Sequence, residues 1–218
     1  MASKQTIAVI GLGTFGSALA RELTRMGDRV VGMDIDEAPT QALNGEVDVV
    51  IRADATDPKV LDHAGIGSFD AAIVCIGDNM QASLLTAMAV AKTGCPRVMV
   101  KAQTPEHAQI LRAMGVANIL EPEQAYALRT AQLLHNPELQ DFLNLGNGNY
   151  VAALRAPVAL HCRTVSDLGL ARHGLTCIGI DIGNRILTLD LGAHALQPSD
   201  TLILAGKREA LRRFATQG

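Results

Sequence analysis

No tryptophan occurs anywhere in the 218 residues, and aromatic residues of every kind make up only 3%. A core without large rings has to be filled by Ala, Val, Ile and Leu, the mix that suits parallel strands buried on both faces. Charge of one sign is not in excess either. The net charge is -3 with no long basic run, which argues against a nucleic-acid partner. No uninterrupted apolar run reaches the roughly 18 residues of a membrane-spanning helix. The opening residues, MASKQTIAV, hold one Lys and no signal-type apolar run, so the expected location is the cytoplasm. The four cysteines, Cys75, Cys95, Cys162 and Cys177, lack C-x-x-C spacing. Free thiols are therefore expected, not disulfides or a metal site.

Catalytic signatures are missing as well. There is no G-K-[ST] segment for P-loop hydrolysis and no Y-x-x-x-K pattern. His161, His173 and His194 come without a partnered constellation of the kind acid–base chemistry needs. No residue is assigned as catalytic, and the chain is expected not to be an enzyme.

What is present is concentrated near the start. Ile7 to Gly16 read IAVIGLGTFG, an apolar strand running into G-x-G-x-x-G, and Asp34 follows at the end of a second apolar strand, RVVGMD. This is the dinucleotide-binding fingerprint in its context of strand, glycine turn, helix, strand and acid. Gly11 allows the tight turn, Gly13 lets the backbone approach a pyrophosphate, and Gly16 lets the following helix pack close. That helix presents its free N–H groups and the positive end of its dipole to the phosphates. Thr14 and Phe15 complete the loop. Asp34 suits a ribose with a free 2′-hydroxyl, Asp36 adds negative charge, and Ile35-Asp36 brings no Arg to favour a 2′-phosphate.

From residue 6 to about 120, strands and helices alternate, which predicts a doubly wound parallel sheet of Rossmann type. Strands are expected at Thr6 to Ile10, Arg29 to Met33, Val47 to Arg52, Ala71 to Ile76, Arg97 to Lys101 and Asn118 to Leu120. Their ends should carry the ligand. Asp54, Ala55 and Thr56 end the third strand, where Asp54 can accept from an adenine amino group or cap the Pro58 helix. Gly77 ends the fourth strand and allows close backbone approach, while Asn79 suits the cap of the next helix. Lys101 ends the fifth, either to meet a phosphate or as an ordinary exposed lysine. Glu123 opens the next helix, to hold a metal–phosphate group or to complement the helix dipole.

After Glu121 the pattern changes. A helix is expected over Pro122 to Leu134, broken by Asn136-Pro137, then a second helical piece over Glu138 to Leu145 and a GNGN hinge at 146–149. The remainder reads as a small α+β domain: strand Tyr150 to Arg155, helix Val165 to Ala171, and strands Thr176 to Asp181 and Arg185 to Leu191 joined by an IGNR hairpin turn. Strand Thr201 to Ala205 and helix Arg208 to Ala215 close it. The expected domains are 1–121, a crossover helix and hinge at 122–147, and 148–218.

IGLGTFG, MDID, ADATD, IGDNMQAS, VKAQ and EPE, followed by DLGLARHGLTCIGI and PSDTLILAG, resemble the KTN/RCK (TrkA-N plus TrkA-C) regulatory proteins of Ktr/Trk-type potassium uptake systems. The likeness covers essentially the whole chain. It implies a cytosolic gating subunit that forms dimers and an octameric ring on the inner face of the plasma membrane, bound to a potassium-translocating partner. It implies ATP and ADP as ligands, with NAD and NADH as the alternative. Glu123 would then lie by the terminal phosphate or a bound cation such as Mg, Lys101 by the phosphates, and Asp54 and Thr56 by the adenine. Some relatives bind cyclic di-AMP in the C-terminal domain, where Arg172, Ile178 and Ile180 fall here. Many carry Arg where this chain has Thr14. A small NAD-dependent oxidoreductase and a nucleotide-sensing module of another membrane transporter stay open as other readings.

Overall fold

The apolar run Thr6–Ile10 forms β1, and its alternation is already two-sided: Ala8 and Ile10 enter one core, Val9 the other. In the computed structural model, which describes residues 4–135 and 137–215, the chain divides into two compact units, Met1–Ala125 and Tyr126–Gly218.

In the first unit β1 pairs in parallel with β2 (Arg29–Asp34) on one side and β4 (Ala71–Val74) on the other. With β3 (Val49–Arg52), β5 (Val98–Lys101) and β6 (Asn118–Leu120) the sheet runs in the order β3-β2-β1-β4-β5-β6. Strand order therefore reverses between β1 and β4, and the carboxyl ends there open a crevice. Helices α1 (Thr14–Arg25) and α2 (Glu37–Leu43) cover the face that buries Val9, Val30, Ile73 and Leu43. Helices α3 (Pro58–His63), α4 (Met80–Lys92) and α5 (Pro105–Ala113) cover the face that buries Ile10, Val74, Val90, Val100 and Leu111. This is the expected Rossmann-like sheet.

Local signals start and stop these helices as their chemistry requires. Asn79 accepts the Ala82 N–H and caps α4, and Thr104 accepts the His107 N–H and caps α5. Pro58 and Pro105 occupy first turns, and Gly27, Gly65, Gly94 and Gly115 follow helices with positive φ. Asp54 does not cap α3. Asp57 does, accepting the Lys59 N–H at 2.9 Å, while Asp54 closes a local turn onto the Thr56 N–H and hydroxyl.

Helix α6 spans Pro122–His135, across the boundary between the units; Asn136 of the expected break lies outside the described residues. The second unit is an antiparallel sheet in the order β10-β9-β11-β8-β7, made of β7 (Leu139–Gly146), β8 (Asn149–Arg155), β9 (Leu175–Asp181), β10 (Ile186–Leu187) and β11 (Thr201–Lys207), with α7 (Arg208–Ala215) against it. Its core is Leu154, Ile180, Leu196, Leu202, Leu204, Leu211 and Phe214.

Four expectations fail in this unit. The piece at 138–145 is a strand, not a helix, and 146–149 is its hairpin turn, not a hinge. Register shifts at Leu139/Asp141 and at Asn144/Gly146 break the two-residue alternation, so the apolar spacing imitates a helix. The helix expected over Val165 to Ala171 is two short 3-10 turns, Ser166–Leu168 and Leu170–His173, separated by Gly169 at φ 58. The strand expected from Arg185 to Leu191 keeps only Ile186–Leu187 before Asp190 turns the chain with φ 53. The histidines here have structural partners. His194 does pair with a carboxylate, Asp200 at 2.7 Å, but Asp200 is spent on the Gln197 N–H of the same loop. His161 meets the Ala156 carbonyl, and His173 lies edge-on to Phe214.

Candidate functional site

The glycine loop is tightened from inside by packing and left open outside. At Gly11 (φ 92) a Cβ would lie 2.7 Å from the Ile76 nitrogen, and at Gly16 it would lie 1.9 Å from the Gly11 carbonyl oxygen. At Gly13 a Cβ would meet nothing within 4 Å. Packing therefore demands glycine at the first and third positions, whereas the second faces open space, as a backbone that must approach a ligand does. Gly13 also stands at the N-cap of α1 with no side-chain cap and no acid in the first turn. The first N–H groups of α1 are thus left for an outside acceptor, and a phosphate suits them. Thr14 is exposed and Phe15 half-buried at this end.

Asp34 is fixed on both carboxylate oxygens. One accepts the Leu12 N–H at 2.5 Å, the other the Asp36 N–H at 2.9 Å. Each oxygen keeps a further lone pair, enough to accept ribose hydroxyls. Asp36 itself is exposed. At the end of β3, Ala55 is buried while Asp54 and Thr56 close their turn at the surface. At the end of β4, a Cβ on Gly77 would stand 3.9 Å from the Lys101 Nζ and 4.0 Å from the Gln103 Nε2. Gly77 thus keeps the space before those two groups clear.

Lys101 is not an ordinary surface lysine. It is 8% exposed, its Nζ lies 5.7 Å from the centre of the Phe15 ring, and it pairs with Glu123 at 2.6 Å. The hydrogen bond from Lys101 holds the Glu123 carboxyl below its ordinary value. Phe15 and Lys101 thus bring the glycine loop and the end of β5 together, and Glu123 reaches them from α6. Beneath lies Cys75, whose thiol burial pushes up to about 12. Cys162 is exposed. With a thiol reagent at pH 8, Cys162 is expected to react first and Cys75 to stay unmodified until the protein unfolds, read by mass spectrometry of labelled peptides.

Each unit also carries a depression. A small one of ≈ 190 Å³ is lined by Gln103, Thr104, Glu121, Glu123 and Gln124. A larger apolar groove of ≈ 380 Å³ lies in the second unit, among Leu128, Leu139, Phe142, Leu154 and Leu211. The larger groove is not part of the strand-end crevice, and the chemistry favours the crevice.

A family model, the TrkA-N domain, matches residues 7–122, the parallel sheet but for its first residue. The chain belongs to the TrkA-N family. Its likeness extends beyond that domain. It is 32% identical over 212 residues to the Ktr system potassium uptake protein C of Bacillus subtilis, with 97% of this chain and 96% of the other covered. It is 29% identical to the Ktr system potassium uptake protein A of Vibrio alginolyticus, over 94% and 93%. Among solved structures, the GsuK channel bound to NAD aligns with TM-score 0.67 at 17% identity, over 100% of this chain and 40% of that one. The GsuK RCK domain aligns with TM-score 0.66 over 97% and 47%, so the chain spans about half that structure or less. At such identities these two show the fold alone.

Within the TrkA-N fold, the site residues fall into two groups. Gly11, Gly13, Gly16 and Asp34 are linked by backbone contacts into one cradle, and Phe15, Gly77, Lys101 and Glu123 converge on one ammonium group. Asp54 and Asn79 serve local turns and caps. Missed from sequence was Gln103, whose Nε2 is buried without a partner among the described residues. The signal was available, since VKAQ places Gln103 two residues past the strand-end lysine. Arg52, at the end of β3, was also missed. Among the described residues no group of three or more His, Cys, Asp or Glu side chains is gathered to hold a metal, and no helix is long and apolar enough to cross a membrane.

Proposed function

We propose that this chain is the nucleotide-binding regulatory subunit of a potassium uptake system, acting on the cytoplasmic side of a membrane-embedded potassium-translocating partner. The observation that carries the reading is the pairing of the open cradle at Gly13 with full-length relatives named as Ktr potassium uptake proteins. ATP and ADP are the favoured ligands, with NAD and NADH as the second pair. The phosphates lie against Gly11, Gly13 and Gly16 at the start of α1, the ribose on Asp34, and the adenine near Asp54, Ala55 and Thr56. Lys101 meets a phosphate, and Glu123 meets the terminal phosphate through a cation such as Mg.

Regulation follows from differential affinity: nucleotide moves the partner only as far as it binds one arrangement of the protein better than another. Oligomerisation supplies those arrangements. Helix α6 has no buried residue in the single chain, and Tyr126, Leu128 and Leu134 on it are 71%, 60% and 79% exposed. Apolar exposure on that scale is what an assembly of copies covers, in line with paired copies building an octameric ring. A cyclic dinucleotide at the second unit would find Arg172 and Ile178 exposed, but Ile180 is wholly buried and serves the core.

The first test is calorimetric titration with ATP, ADP, NAD and NADH, with and without magnesium. Saturable binding without turnover supports the reading; hydride transfer or hydrolysis at a steady rate overturns it. The short neutral Thr14 cannot make a bidentate phosphate contact. Thr14→Arg is accordingly expected to raise the preference for ATP over ADP by about tenfold, the scale of a charge-assisted hydrogen bond. An unchanged ATP-to-ADP ratio would remove the loop position from nucleotide discrimination.

A further inference from the structure

The end of β2 holds a cation that the linear sequence does not place there. β2 and β3 are parallel and in register so that Asp34 stands opposite Arg52. Their side chains emerge on the same face of the sheet, the face covered by α1 and α2, because Gly32 and Val50 two residues earlier on each strand adjoin the same core. The Arg52 guanidinium turns back over the β2–α2 loop, where its Nε donates to the Ile35 carbonyl at 3.3 Å and its Nη1 to the Glu37 Oε2 at 2.7 Å. Glu37 is itself steadied, since its other oxygen accepts from the Gln41 side chain at 2.7 Å.

A nucleotide whose ribose sits on Asp34 presents its 2′ position to this corner. An acid there selects a free 2′-hydroxyl, and an Arg nearby accepts a 2′-phosphate. Here both are present, and a third charge decides between them. Resting on the nucleotide-binding reading above, we infer that Glu37 is a specificity-determining positioning residue: by engaging Arg52 it withholds the guanidinium from a 2′-phosphate and keeps the site to nucleotides with a free 2′-hydroxyl. Two of the five guanidinium N–H donors are engaged by Ile35 and Glu37. Freed of Glu37, the same side chain has the fork geometry that a phosphate accepts. Asp34 and Asp36 still oppose a dianion, so release of Arg52 narrows the discrimination without inverting it.

The test uses the full chain and two matched pairs of probes, AMP against adenosine 2′,5′-bisphosphate and NAD against NADP. Wild type should favour the 2′-hydroxyl member of each pair. Glu37→Gln should narrow that preference by about fivefold, the size an exposed charge pair carries. Glu37→Gln with Arg52→Gln should restore the wild-type ratio, because the effect runs through Arg52. An unchanged ratio in Glu37→Gln overturns the inference, as does a narrowed ratio that survives in the double variant. Failure of wild type to bind ATP and ADP as well as these four probes overturns the nucleotide-binding reading itself, a different result from binding with an unmoved ratio.

Discussion

Gly16→Ala is expected to lose nucleotide affinity by about 10- to 100-fold and to destabilise the first unit, because the added methyl has nowhere to go. Its carbon would sit 1.9 Å from the Gly11 carbonyl oxygen, 3.0 Å from the carbon of that carbonyl and 3.3 Å from the Cys75 Cβ. Two of these are backbone atoms of the turn, so no rotamer change relieves the clash. Either α1 backs away from the sheet or the turn is pushed out. Overpacking of this kind costs about 1–3 kcal/mol, and the same displacement withdraws the N–H groups of α1 from the phosphates. Gly13→Ala is the matching control. Nothing lies within 4 Å of its would-be Cβ and its φ is -63, so the fold should tolerate the change. Its methyl instead enters the space proposed for the ligand. Thermal melts alone and with ATP separate the two variants: Gly16→Ala should melt lower than wild type in both, Gly13→Ala only in the presence of ATP. Equal melting of the Gly16 variant and wild type would mean that close packing of α1 on the turn is not required.

The contrast between these two glycines is the part of the site most legible in the sequence. G-x-G-x-x-G constrains backbone, and backbone constraints survive in a linear pattern because each acts within a few residues. The same holds for the parallel sheet: six strands, each followed by a helix, repeat a local rule, and their order follows from right-handed crossovers. The second unit fails where local rules are overridden. At β7 two register shifts scramble the alternation, and the correct signal was the turn, where Gly146, Asn147 and Gly148 all take positive φ. Read as a hinge, GNGN hid the strand before it. Arg52 was missed for a different reason. It lies 15 residues from Glu37, and only the parallel pairing of β2 with β3 brings the two together. Charge partners set by sheet register cannot be seen along the chain.

Lys101→Met should separate phosphate recognition from folding. The ammonium is nearly buried, but its only ion-pair partner among the described residues is a carboxylate 65% exposed, and its Nζ stands over the Phe15 ring. Methionine keeps the volume and the contact with the ring and removes a charge that burial penalises, a change that is often neutral for stability or better. Stability should thus hold while affinity falls. A charged hydrogen bond to phosphate contributes about 1.5–3 kcal/mol, so ATP and ADP should weaken by roughly 10- to 100-fold. AMP, with fewer phosphates to reach the end of β5, should weaken less. Glu123 gives the reciprocal case. Its carboxyl is held down by Lys101, so it is ionised and competes for the ammonium that a phosphate must win. Glu123→Gln in metal-free buffer should therefore tighten ATP binding, and Lys101→Met should erase that gain because no ammonium is left to release. Calorimetry on the two single variants and the double completes the cycle. Unchanged affinity for AMP, ADP and ATP in Lys101→Met would place the lysine away from the phosphates and leave it a purely structural partner of Phe15 and Glu123.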